Sequence, residues 1–147
     1  MFWFCFILLL GLLAVPAHAA EIIEVDPSYL RISAISVVEP VFPAGSVRRS
    51  HTGRVVASIT VASDGRPELI EIYESPDEEI AASVKSALSL WRFRPFFAGD
   101  TKRAVRAHSR LVFYFSTKEG KPIVVDANEV RALMLDEQSR ARQQKRK

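Results

Sequence analysis

Residues 54–74 constrain this chain more than any other stretch. From Arg54 to Ala62, Val55, Ala57, Ile59 and Val61 point one way while Val56, Ser58, Thr60 and Ala62 point the other. One face is fully apolar and the other mixed, the pattern of a strand in a sheet covered on one side. Ser63-Asp64-Gly65 follows as a turn, with Gly65 free to take positive φ. Glu68 to Glu74 is the returning strand. There Ile70 and Ile72 share a face, and Pro67 sits at its start, where a missing N–H is tolerated. A hairpin this apolar on one side must be covered by something.

The cover comes next. Ser75-Pro76-Asp77-Glu78 reads as a helix start, with Ser75 the N-cap, Pro76 the first helical residue and Glu78 closing a capping box. Asp77, Glu78 and Glu79 suit the positive end of the helix dipole. Ile80, Val84, Ala87, Leu88 and Trp91 then recur at helical spacing and form one stripe to lay on the sheet. Pro95 stops the helix, with Arg92 and Arg94 near its last carbonyls. Val105 to Ser116 is a third strand. Val105, Ala107, Leu111, Phe113 and Phe115 share one face, and Arg106, His108, Arg110, Val112 and Tyr114 the other. Two antiparallel strands, a helix and a third strand place that third strand beside the first, at the edge of the sheet.

The flanks are less regular. Leu30, Ile32 and Ala34 alternate with Arg31 and Ser33, which predicts a short strand in the lead-in, residues 20–38. Pro40 and Pro43 hold an extended segment, and Ala44 to Ser50 fits one or two helical turns ended by Gly53. Beyond the third strand, Glu119-Gly120 is a turn and Ile123 to Val125 a short extra strand. Asp126 and Glu129 read as a capping box opening a helix with Val130, Leu133 and Met134 on one face.

Phe2 to Val15 is apolar apart from Cys5 and Gly11, Pro16 ends the run, and Ala17-His18-Ala19 fits a small-x-small cleavage site. This reads as a signal peptide, residues 1–19, exporting the chain to the periplasm. The start carries no Lys or Arg, so an uncleaved inner-membrane anchor is the alternative. Cys5 is the single cysteine, so the exported chain has neither disulfide nor thiolate chemistry and depends on its core. The formal charge of +3 comes from the tail: taking away Arg140, Arg142, Lys145, Arg146 and Lys147 leaves −2 for the body. Export argues against nucleic acid as a partner. The tail is a solvated helix end or a contact to an anionic membrane surface.

No catalytic constellation emerges. His51 and His108 have no cysteine or acid at metal-ligand spacing. Asp64 and Ser63 are turn residues, Glu78 and Glu79 cap a helix, and no Gly-rich phosphate loop follows a strand. Neither an enzyme nor a cofactor is expected. Trp91 continues the helix stripe and belongs to the core, whereas Phe93, Phe96 and Phe97 cannot all point inward around Pro95, so one of them is a candidate for an exposed contact.

Pro40-Val41-Phe42-Pro43, Gly53-Arg54-Val55, Asp64-Gly65 and Trp91-Arg92-Phe93-Arg94-Pro95, in that order and closed by Val105 to Phe115, resemble the C-terminal domain of TonB, the periplasmic energy transducer of Gram-negative bacteria. The resemblance covers residues 39–117, about half of the chain, between the lead-in and a C-terminal flank, 118–147. It implies an α+β fold with a three-stranded antiparallel sheet and helices packed on one face. It also implies a non-catalytic module of TonB-linked transmembrane transport. Such a domain accepts an extended peptide of an envelope protein, such as the TonB box of an outer-membrane transporter, as an added strand.

Carried onto this sequence, the partner-binding residues are Pro40, Phe42 and Pro43, with Arg106, His108, Arg110, Val112 and Tyr114 of the edge strand. Phe42 stands where the family commonly has Tyr, so a hydroxyl is missing, and packing against the sheet is its other reading. The long Pro-rich spacer of TonB has no counterpart here, so binding is expected without pulling. The alternative is an adaptor that self-associates through the same edge as a homodimer. Finally, if Ile123 to Val125 folds back on the third strand it fills the docking edge, weakly because of Pro122. A chain cut after Thr117 would then bind an extended peptide more tightly.

Overall fold

The computed structural model describes residues 21–100 and 102–144; the segment expected to be a signal peptide, residues 1–19, and the final cations Lys145, Arg146 and Lys147 lie outside them. In chain order the elements are β1 (Ile22–Glu24), α1 (Pro27–Ser33), β2 (Ala34–Ser36), α2 (Ala44–Arg48), β3 (Gly53–Val61), β4 (Pro67–Glu74), α3 (Glu78–Ser89), β5 (Arg92–Phe93), β6 (Phe96–Phe97), β7 (Ala104–Lys118), β8 (Lys121–Asp126) and α4 (Ala127–Gln144).

The hairpin forms as its alternation demands. β3 and β4 are antiparallel, with Ile59 opposite Ile70 and Ala57 opposite Ile72. Val55, Ala57, Ile59 and Val61 are fully buried. Gly65 has φ 84°, and its N–H reaches the Ala62 carbonyl. Its own carbonyl accepts from Phe93 N–H at 2.9 Å. A Cβ here would run into the Phe93 carbonyl, so the hairpin tip can be glycine and little else. α3 lays Ile80, Val84 and Leu88 into the same core, joined by Trp91, Phe113 and Phe115. Trp91 is fully buried, and its indole N–H donates to the Val38 carbonyl at 2.8 Å.

Three expectations need correction. The sheet is neither three-stranded nor wholly antiparallel: six strands join in one mixed sheet, in which β1 runs parallel to β7, and β2 and β5 form a separate pair. β7 is not an edge strand. β3 flanks it along Gly53↔Phe115 to Val61↔Ala107, and β1 and β8 flank it on the opposite side. The strand expected over residues 30–34 is mostly helix: α1 is capped by Asp26, whose side chain accepts from Ser28 N–H, with Pro27 opening the first turn. That cap and proline outweigh a three-residue alternation.

Two helix ends also move. α3 begins at Glu78, with Asp77 rather than Ser75 as N-cap, accepting from Ile80 N–H at 2.8 Å. The helix ends at Ser89, well before Pro95. Arg92 does donate to the Ser89 and Trp91 carbonyls, as a helix-end cation should. Asp77 also meets His51 Nδ1 at 2.8 Å. Burial pushes its carboxyl up. The hydrogen bonds from Ile80 and His51, together with the nearby Ser46 hydroxyl, outweigh that and hold it below the usual carboxylate range. The Ser46 Oγ contributes by proximity, since it makes no hydrogen bond of good geometry.

Candidate partner-binding site

The residues proposed from sequence fall into two groups that the sheet separates. Pro40 and Phe42 are buried on the helix-covered face. The Phe42 ring meets Phe115 edge-on, with centroids 5.3 Å apart, so packing against the sheet is what this residue does. Pro43 is half-buried and opens α2 from its N-cap position. Strand alternation sends Arg106, His108, Arg110, Val112 and Tyr114 to the opposite face. Arg106 Nε donates to Glu68 at 2.7 Å, and His108 Nδ1 lies 3.1 Å from the Thr60 hydroxyl. The Arg110 guanidinium stands 5.3 Å over the Tyr73 ring, and Arg54 and Glu74 pair at 2.6 Å beside it. Val112 lies between these in a shallow depression with Val56 and Tyr73. Tyr114 is 45% exposed. Of the aromatics around Pro95, Phe93 and Phe96 are buried and Phe97 is half exposed.

A strand-binding site is made of main chain, and the far side of β7 is already engaged. In an antiparallel ladder, alternate residues turn their N–H and C=O to opposite neighbours. The even-numbered residues of β7 turn away from β3: Arg106 N–H donates to the Glu21 carbonyl at 3.1 Å, and the His108 carbonyl accepts from Val25 N–H at 2.9 Å. The Ser109 hydroxyl ties down the Val25 carbonyl at 2.8 Å. At the other end β8 runs antiparallel from Phe113↔Asp126 to Lys118↔Lys121. The fold-back of Ile123 to Val125 is therefore realised, closed by a two-residue turn in which Glu119 and Gly120 have φ of 52° and 74°.

Between these pieces one side chain replaces a strand. Asn128 Oδ1 accepts from Val112 N–H at 3.3 Å, and its Nδ2 donates to the Val112 carbonyl at 3.1 Å. Asp126 holds the amide in place: its Oδ1 accepts from Asn128 N–H at 2.9 Å, from Asn128 Nδ2 at 2.8 Å and from Glu129 N–H at 3.2 Å. Half of the expected capping box is thus present, with Asp126 capping α4. Glu129 instead pairs with Arg31 at 3.0 Å, and the same guanidinium reaches Asp126 at 2.9 Å while lying 5.5 Å from the Trp91 ring centre. The helix face expected to pack is turned outward: Val130, Leu133 and Met134 are exposed, and Asn128 and Ala132 are buried.

Sequence reasoning missed Asn128 and Arg31. Asn128 looks like an ordinary first-turn polar residue, and only a buried position two residues past a strand marks it. Arg31 sits in the stretch misread as a strand. Among the described residues no group of three or more His, Cys, Asp or Glu side chains is placed to hold a metal ion, and no helix is long and apolar enough to cross a membrane.

The chain is similar to known proteins over this region. It is 32% identical over 84 residues to protein TonB of Pseudomonas aeruginosa, covering 56% of this chain. The chain spans only 24% of that relative's length. A solution NMR structure of the Pseudomonas aeruginosa TonB CTD aligns with 58% of this chain and 86% of its own, at 31% identity and a TM-score of 0.49. Residues 38–117 match the family of the Gram-negative bacterial TonB protein C-terminal, and the chain belongs to that family.

Proposed function

We propose that this chain is a non-catalytic partner-binding module of the cell envelope, taking an extended segment of another envelope protein as an added strand along β7. One observation carries the reading. The family match runs from residue 38 to 117. From Arg106 to Thr117, the strands and side chain bonded to the far side of β7 belong to β1, β8 and α4, outside that span, while β6 pairs only with Ala104 and Val105. Within the shared core, residues 106–117 have β3 as a neighbour and nothing opposite it. A row of N–H and C=O groups flanked on one side only is what strand addition requires.

The partner is best sought among outer-membrane transporters, the class the family resemblance names, with the periplasm as the compartment and TonB-linked transport as the process. Arg106, His108, Arg110, Val112 and Tyr114 display the side chains such a guest would pass. Pro40, Phe42 and Pro43 shape the opposite face. The exposed Arg140 and Arg142 of α4 suit an anionic membrane surface. Homodimerisation through β4, the strand at the other end of the sheet, is disfavoured. An antiparallel pair centred on Glu71 would set Glu71 against its copy and Glu68 against the Glu74 of the copy.

The test is photo-crosslinking in the intact envelope from a benzophenone amino acid at Tyr114. An adduct with an integral outer-membrane protein is the expected result. An adduct of exactly twice the chain's mass would favour self-association, and no adduct under any growth condition would sink the strand-addition reading.

A further inference from the structure

We infer that the segment from Lys121 to Asn128 is a displaceable resident that keeps the β7 edge closed, with Asn128 as its clasp and Arg31 as the residue that selects an acid-bearing guest in its place. This rests on the partner-binding reading above and adds its regulation and specificity.

Three features set the resident apart from a structural strand. First, β8 is thinly packed: none of its residues is buried, and Val124 alone among them touches the core. By contrast, alternate side chains along β7 are buried, from Val105, Ala107, Ser109 and Leu111 onward to Phe113 and Phe115. Secondly, the ladder does not continue past Phe113↔Asp126. The chain leaves the edge there to enter α4, and a lone amide takes over at Val112. A side-chain amide offers one donor and one acceptor in the spacing of a peptide group, so it satisfies Val112 without committing further backbone. Thirdly, α4 is anchored only near its start, since none of its residues from Leu133 to Gln144 is buried. Releasing the resident therefore exposes little apolar surface, and its loss is mostly of hydrogen bonds a guest can remake.

The resident also describes its replacement. A guest paired antiparallel in the same register puts a β-branched residue where Val124 meets the core. It puts a carboxylate where Asp126 receives Arg31 Nε. Without that carboxylate, Arg31 keeps only Glu129, which is itself carried by α4 and moves with it. The fitting guest is an extended segment with β-branched residues followed closely by Asp or Glu.

Backbone hydrogen exchange of the full chain tests the clasp directly. Val112, Tyr114 and Ser116 turn their N–H groups to the resident, and Phe113 and Phe115 turn theirs to β3. In Asn128→Ala, exchange at Tyr114 and Ser116 should accelerate about tenfold or more, since the clasp's two hydrogen bonds are gone. Phe113 and Phe115 should keep their protection, which also shows that the variant folds. The converse variant, Ser116→Cys with Ile123→Cys, joins directly opposed residues and should slow the same amides when oxidised.

If the two sets of amides exchange together in every variant, the segment is a permanent strand and the inference is overturned. Binding is read separately, by NMR titration with the peptide Ac-Lys-Pro-Ile-Val-Val-Asp-NH2 and its Asn-ended counterpart. Asn128→Ala should bind the acid form severalfold better than the amide form, and Arg31→Met should remove that preference. Equal affinity for the two peptides would overturn the role of Arg31. Selective opening by exchange, with no crosslink from Tyr114 in either the opened or the locked chain, would leave the clasp standing and remove the partner-binding function.

Discussion

The two sides of β7 are held by different physics. Towards β3 the contact is an unbroken antiparallel ladder, and the side chains it carries inward, from Val55 and Ile59 to Leu111 and Phe113, are fully or almost fully buried. Away from β3 the same strand is covered by a three-residue parallel strand, one asparagine and a half-exposed hairpin arm. Burial of apolar area is non-directional and lost only when the core opens. A hydrogen bond at the surface is exchanged for water or another chain at a small net difference. A strand can thus be permanent on one side and negotiable on the other.

The sharpest way to break that contrast is to empty the permanent side. Trp91 is fully buried, touches Phe93 and Phe113, and fixes Val38 through its indole N–H. Trp91→Ala should cost about 3–5 kcal/mol and unfold both sides of β7 together in a single denaturant transition. Urea unfolding followed by circular dichroism checks it; a loss below about 1 kcal/mol would show that burial around Trp91 is not what makes the β3 side permanent. Gly65→Ala comes next. It forces a side chain onto positive φ and against the Phe93 carbonyl, so a loss of about 2–3 kcal/mol is expected, measurable as a lower thermal midpoint.

The same contrast explains what the sequence made legible. β3, β4, the α3 stripe and β7 were readable because apolar burial leaves a period, two in a strand and 3.6 in a helix. Trp91 was readable as core for that reason. The far side leaves no period. β1 is three residues long and finds its parallel partner some eighty positions away. Asn128 works through one amide, and Arg31 through partners on α4. The exposed Val130, Leu133 and Met134 show the converse error: a helical stripe does not guarantee a surface to cover it. Ser75 lost the cap to Asp77 because a carboxylate two residues on could reach Ile80 N–H and His51 at once.

Arg31→Met sharpens the comparison from the negotiable side. The methionine keeps a stem against Trp91 but abandons Asp126 and Glu129, whose bonds to the guanidinium are 2.9 and 3.0 Å. A loss of about 1.5–2 kcal/mol is expected, because charged hydrogen bonds of this kind are partly shielded from water. Monitored residue by residue during denaturation, the loss should appear earlier at Tyr114 and Ser116 than at Phe113. Simultaneous loss would mean that the pair braces the core instead.

The smallest expected effect lies far from β7 and serves as its control. The Asp77 carboxyl is depressed below its ordinary value, so the folded state binds that proton less readily than the unfolded chain. The resulting stability is complete above the unfolded carboxylate range near pH 4 and is lost progressively as pH falls from there towards the depressed folded value. Asp77→Asn keeps an N-cap for α3 and removes the charge that meets His51, so at pH 7 it should cost only about 0.5 kcal/mol. Between about pH 5 and pH 2 the thermal midpoint of the unaltered chain should fall more steeply than that of the variant. Parallel acid limbs would show that Asp77 is not the group responsible. Exchange at Tyr114 and Ser116 relative to Phe113 should be the same in both chains throughout, because nothing in the α3 cap touches the clasp; a change there would mean that opening of the β7 edge is coupled to the whole core rather than to Asn128.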